Sequence, residues 1–183
     1  IEQAINESIA NPGKSYQVEY RFKHRRTNQY RWFQDCFTTT LDEQSHTAFR
    51  YGSVRDITNQ QIIEEAKKEA EFRYRSLFEQ SHDAIFILDL QGAHLDVNKH
   101  AADMMGYSIE EMRELSVNET SAELQQSQQG IEQLIRGEHV PLYERLFKKK
   151  DGNVFPVEIN VELVRDMHGN PLHIQSVVRD ISK

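Results

Sequence analysis

The side chains able to do chemistry are few, and their spacing gives them little to do. One cysteine, Cys36, could supply a thiolate nucleophile, but it stands between Asp35 and Phe37 in a β-type run and reads as packed rather than reactive. Of the eight histidines, His82, His94, His100, His168 and His173 fall on turns and element ends. No spacing among them is that of metal ligands, so no metal site is expected. Asp83, Asp89 and Asp96 flank apolar runs and read as turn and cap residues rather than paired carboxylates in an apolar setting. The chain has no glycine-rich phosphate loop and no Gly-x-Ser-x-Gly elbow. Catalytic residues are therefore not expected in this segment. What remains is a set of apolar residues able to wall a pocket, namely Phe86, Leu88, Met104, Met105, Tyr107, Ile131, Leu134, Ile135, Phe155, Val157 and Ile159. Tyr107, Tyr143, Asn160 and Ser176 are the polar groups that could orient a small ligand there. The same apolar residues are those a domain of this size needs for its core.

Composition narrows the partners. The chain has 183 residues and a net charge of −7, which argues against nucleic acid, whose phosphates demand basic surface. A mean hydropathy of −0.71 and the lack of any long apolar run predict no membrane contact by this segment, and leave open a membrane anchor elsewhere in a parent protein. A single cysteine rules out a disulfide framework and fits a reducing cytosol.

The elements that must position these residues occur twice. Ser53-Val54-Arg55-Asp56-Ile57-Thr58 returns as Val177-Val178-Arg179-Asp180-Ile181-Ser182, an offset of 124. Glu19-Tyr20-Arg21-Phe22-Lys23 lines up with Glu144-Arg145-Leu146-Phe147-Lys148 at 125, so one residue is lost in a loop between. Ile1-Glu2-Gln3 matches Ile131-Glu132-Gln133 at 130, which puts about five extra residues in the first copy's connection. In the first copy a helix over 1–10 precedes three strands, 17–23, 30–40 and 47–57, with turns at 26–28 and 42–45.

Residues 57–80 then change to helical period. Ile63, Ala66, Ala70, Tyr74 and Leu77 form a narrow apolar stripe, and Thr58 with Gln61 fits a capping box. Such a stripe on a charged helix is half of a coiled coil, so a homodimer through this helix is expected. In the second copy the order is strand (84–89), strand (94–97), short helices capped at Asn98 and Ser108, a helix over 123–136, and strands 142–149, 154–164 and 171–181. Phe155, Val157, Ile159, Val161 and Leu163 alternate with Glu158, Asn160 and Glu162, so one face of the sheet is covered.

This order, with these words in it, resembles the PAS domain. Asp96-Val97-Asn98-Lys99-His100-Ala101-Ala102 and Met105-Gly106-Tyr107-Ser108-Ile109-Glu110-Glu111-Met112 are similar to the family's front half. Lys150-Asp151-Gly152 and Val178-Arg179-Asp180-Ile181-Ser182 are similar to its back half, the PAC part. The resemblance implies an α+β fold, a five-stranded antiparallel sheet with short helices on one face. It divides the chain into 1–58, the back half of a first PAS domain; 59–80, a linker helix; and 81–183, a complete second PAS domain. Arg26-Thr27-Asn28 departs from the Asp-Gly turn of the pattern. Because the first copy lacks its front half, the chain is read as a piece of a larger protein whose effector domain lies downstream.

The resemblance also implies which cofactors to weigh. Photoreceptor members hold flavin beside a reactive cysteine, and the second copy has none. The same lack disfavours a cysteine-linked chromophore. Redox-flavin members use a tryptophan, and Trp32 lies in the first copy. Haem members take a histidine from the long helix before the last three strands, which here has none, His139 falling after it. Flavin and haem are both disfavoured. The expected function is a cytoplasmic sensory and relay module with a possible small ligand; the other reading is a ligand-free dimerisation or spacer module. Arg55, Asp56 and Thr58, with Arg179 and Asp180, mark the junctions where each sheet would hand a change to the next helix.

Overall fold

A computed structural model of the chain describes residues 1–42 and 47–182. The turn expected over 42–45 lies, from 43 onward, outside them. The chain forms two compact units, Ile1–Phe72 and Arg73–Lys183.

In the first unit, α1 (Glu2–Ala10) precedes β1 (Ser15–Lys23), β2 (Tyr30–Asp42) and β3 (Thr47–Asp56), which pair as an antiparallel sheet in that order. α1 packs on β2, where the hydroxyls of Ser8 and Thr39 meet at 2.7 Å, both buried. Phe37 is buried on the same strand, and Asp35 beside it is also buried. α2 (Thr58–Glu79) begins in this unit.

The second unit contains β4 (Ala84–Leu88), β5 (His94–Val97), α3 (Lys99–Met105), α4 (Ile109–Arg113), α5 (Val117–Thr120), α6 (Leu124–Ile135), β6 (Tyr143–Lys148), β7 (Val154–Arg165) and β8 (Pro171–Asp180). Its sheet is antiparallel in the order β5-β4-β8-β7-β6. Alternation on β7 buries Phe155, Val157, Ile159 and Val161 and leaves Asn160 and Glu162 exposed. The buried face meets Ala101, Ala102 and Met105 of α3, Met112 of α4 and Leu134 of α6 in one core. Short helices survive here because each start is capped. The Asn98 side chain accepts from the Ala101 N–H, and Ser108 forms a reciprocal box with Glu111. Gly106, with φ of +78°, ends α3 in the left-handed conformation that costs glycine least.

β1–β3 and β6–β8 share one register. Lys23↔Tyr30 corresponds to Lys148↔Val154, and Phe33↔Asp56 to Val157↔Asp180. The single-residue difference falls in the hairpin: the His24 N–H reaches the Gln29 carbonyl, whereas the Lys149 N–H reaches that of Asn153. Asn28 (φ +59°) stands at the left-handed position that Gly152 (φ +85°) fills in the second unit. Asparagine is the side-chain-bearing residue that tolerates this conformation best, which explains how the turn forms without Asp-Gly.

The Ile1-Glu2-Gln3 match is not a structural equivalence. α1 ends at Ala10 and α6 at Ile135, an offset of 125 that continues the strands', so no extra residues are inserted. The capping box at Thr58 is not formed either. The Thr58 hydroxyl accepts from the Trp32 N–H at 2.9 Å, and the Gln61 amide is drawn to Glu19 at 3.2 Å. The neighbouring sheet outcompetes the local partner.

Candidate functional site

The inner face of the second sheet is laid out in rows by its register: His94–Leu88–Ile174–Leu163, Val97–Phe86–Ser176–Val161 and Ala84–Val178–Ile159–Tyr143. α5 and α6 close over part of this face and leave a cavity of about 50 Å³. Of the residues proposed for a pocket, Phe86, Leu88, Ile131, Leu134, Tyr143, Ile159 and Ser176 line it.

The other candidates lie elsewhere. Met105 and Val157 are fully buried and Phe155 nearly so, packed solidly into the core away from the cavity. Met104 and Tyr107 are half-buried at its periphery, where the Lys150 ammonium stands 5.5 Å from the Tyr107 ring centre. Ile135, at the end of α6, is exposed, and Asn160 points to the opposite face because it falls between Ile159 and Val161 on β7.

His94 also lines the cavity and was not legible as a site residue. It opens β5, is 4% exposed, and its ring centre lies 5.7 Å from that of Phe86. Nδ1 is 3.1 Å from the Met112 carbonyl, and the backbone N–H donates to the Leu115 carbonyl. Burial lowers its pKa below the ordinary 6.5, opposed by the Met112 hydrogen bond and the Glu119 charge. The unfolded chain therefore takes up a proton that the folded chain refuses. Stability should be full above about pH 6.5 and decline as pH falls below it, before carboxylates titrate. Urea unfolding of the second unit should show this slope between pH 7 and 5.5, and His94→Gln should flatten it.

A second constellation holds the end of α2 within this unit. Asn98 is fully buried and uses both ends of its amide. Oδ1 accepts from the Ile85 and Ala101 N–H groups at 3.0 and 2.9 Å, while Nδ2 donates to the Phe78 and Asp83 carbonyls at 3.0 and 3.1 Å. Phe78 is itself 4% exposed. Arg75 and Arg113 both pair with Asp96, at 3.2 and 2.8 Å, and the Glu79 carboxylate accepts from the Lys99 N–H at 2.9 Å. Arg75 thus turns to Asp96 and Glu79. Arg179, near the end of β8, makes a two-pronged pair with Asp83, at 3.1 and 3.2 Å.

At the other end of α2, Asp56 accepts from the Thr58 N–H at 3.0 Å and pairs with Arg31 at 3.2 Å. Thr58, then Arg31, holds its carboxyl below the usual range. Asp180 repeats the first contact, accepting from the Ser182 N–H at 2.8 Å. Arg55 is exposed, and its side chain makes no polar contact among the described residues. Ile63, Ala66, Ala70, Tyr74 and Leu77 are all exposed, Leu77 at 72%.

Among the described residues no cluster of His, Cys, Asp and Glu could hold a metal ion, and no helix is long and apolar enough to cross a membrane. A five-stranded antiparallel sheet in this order, with short helices over one face and a small lined cavity, makes this unit an α+β domain. Residues 73–181 match the family model for the PAS fold, and the chain belongs to the PAS family.

It is 31% identical over 121 residues to a methyl sulfide methyltransferase-associated sensor of Methanosarcina acetivorans, a match covering 65% of this chain and 12% of that protein. It is 30% identical over 118 residues to a probable diguanylate cyclase of Escherichia coli, covering 63% and 11%. The chain thus spans about a tenth of the length of these relatives. Among solved structures, the PAS domain of an HTR-like protein from Haloarcula marismortui matches with a TM-score of 0.56 and 25% identity, over 66% of this chain and 99% of that one. A domain of a sensory box sensor histidine kinase/response regulator from Geobacter sulfurreducens gives 0.52 and 27%, over 61% and 94%. The PAS unit is a signalling sensor module.

Proposed function

We propose that this chain is a cytoplasmic sensing and relay segment of a longer signalling protein, whose catalytic output is carried by another part of that protein. The observation that carries the reading is the Asn98 link. Phe86 walls the cavity; its neighbour Ile85 gives its N–H to Asn98, and Asn98 holds the Phe78 carbonyl at the end of α2. A guest that displaces β4 by a fraction of an ångström strains this bond, and α2 then favours a different packed register. Asp83–Arg179 connects the same loop to the exit of β8. The shared register of β1–β3 and β6–β8 supports reading residues 1–58 as the back half of another PAS domain, with Arg31–Asp56–Thr58 as the corresponding junction. In the full-length protein, Asp56→Ala and Arg179→Ala should each weaken the response of output to stimulus while ligand affinity stays unchanged. Unaltered output in both variants would sink the relay.

The exposed α2 stripe supports a homodimer. Ile63, Ala70 and Leu77 recur every seven residues, the spacing that keeps a seam facing a partner helix. Sedimentation of the intact chain should give a dimer, and Ile63→Glu with Leu77→Glu should give a monomer with the PAS core intact. A wild-type monomer at tens of micromolar would exclude this interface.

The small cavity volume favours one other reading, a ligand-free spacer. A melting temperature indifferent to every small molecule tried would decide for it.

A further inference from the structure

We propose that the cavity of the PAS unit takes a small, uncharged molecule bearing a hydroxyl group, which donates its proton to His94 Nε2. This rests on the reading above that the cavity holds a ligand, and names the class.

A backbone carbonyl can only accept, so the 3.1 Å contact with the Met112 carbonyl places the hydrogen of His94 on Nδ1. The ring is buried, which favours its neutral form, and Nε2 is then left as a bare acceptor. Nε2 makes no hydrogen bond to the protein among the described residues, although the side chain is 4% exposed and lines the cavity. Its lone pair is therefore free to accept a hydrogen bond from a guest's O–H, a bond worth roughly two- to tenfold in affinity. Ser176, 7% exposed, lines the same cavity with its hydroxyl unpartnered, and so does the Tyr143 hydroxyl. Either is a donor for the lone pairs of a guest hydroxyl.

Charge and size set the rest. No Asp, Glu, Lys or Arg lines the cavity, so a carboxylate or an ammonium would be desolvated with no counter-charge. A volume of about 50 Å³ exceeds the ~10–15 Å³ that one water needs, yet falls well short of the ~150 Å³ that holds benzene. The guest therefore has roughly three or four non-hydrogen atoms, with its hydrocarbon part against Leu88, Ile131 and Ile174.

The test is NMR on the intact, isotope-labelled chain, following the His94 imidazole nitrogens and the methyl groups of Ile131 and Ile174. Titration with 1-propanol should shift Nε2 and both methyls together and saturate, whereas sodium propionate should move neither. His94→Leu should weaken 1-propanol roughly tenfold while leaving xenon uptake at the methyls unchanged. Should that variant fail to fold, Ser176→Ala should keep the Nε2 shift in a folded protein. If xenon enters but 1-propanol leaves Nε2 unmoved, the hydroxyl chemistry is wrong and the ligand reading stands. If neither xenon nor 1-propanol reaches the methyls, water alone occupies the cavity and both fall.

Discussion

Replacing Asn98 with alanine is expected to destabilise the PAS unit by about 3–5 kcal/mol, a large share of the roughly 5–15 kcal/mol that holds a domain together. The loss has identifiable parts. The α3 cap contributes about 1 kcal/mol. The Ile85 N–H and the Phe78 carbonyl are left without partners beside a fully buried site, at about 1–3 kcal/mol each. The Asp83 carbonyl loses less, because the Ser81 hydroxyl also donates to it. Asn98→Asp keeps the acceptor but aims a second oxygen at two carbonyls, and should be no milder. Amide exchange at Val157 and Val178, deep in the PAS core, reads this unit separately from residues 1–72. A loss under 1 kcal/mol would mean that water replaces the amide and that α2 is not held through it.

Phe86→Ala is expected to cost about 3–5 kcal/mol by urea unfolding. Phe86 is 3% exposed and its ring meets those of His94 and Phe147, at 5.7 and 6.1 Å between centres. Its removal deletes apolar contact and merges the vacated volume with the existing cavity, so relaxation cannot close the gap cheaply. The enlarged void should bind benzene, and saturating benzene should restore part of the lost stability by mass action. Asn160→Ala, on the exposed face of β7, should change stability within about 0.5 kcal/mol. A Phe86→Ala protein that is destabilised but gains nothing from benzene would indicate that the helices collapse inward, and that the cavity is not a preformed site.

Local signals carried much of the fold. Alternation on β7, the box at Ser108, the cap at Asn98 and the stop at Gly106 are readable because each depends on residues within one element or its edge. α5 escaped notice because four residues show no period, although Ser116 and Glu119 form the reciprocal cap that marks its start. The Thr58–Gln61 box was legible and did not form, since Trp32 and Glu19 of the adjacent strands took both side chains.

The site was harder to read. Half of the proposed wall lines the cavity, because apolar residues on β4, β7 and α6 face inward by period. Which of them border the void, and which pack solidly, depends on how α5 and α6 settle, and no residue announces that. His94 was unreadable for the same reason: its burial comes from the end of α4, where Met112 and Leu115 cover it. The joint use of Asp96 by Arg75 and Arg113, 38 positions apart in the chain (113 − 75), is equally tertiary.

The measurement that bears most directly on a sensor that relays through Asn98 is hydrogen exchange along α2 in the intact chain, with the cavity empty and then filled by 1-propanol, or by benzene in Phe86→Ala. Relay requires that filling the cavity change protection at the Ile85 amide and across the last turns of α2, residues 74–80. Changes confined to the cavity wall, with α2 exchanging at the same rate throughout, would contradict it.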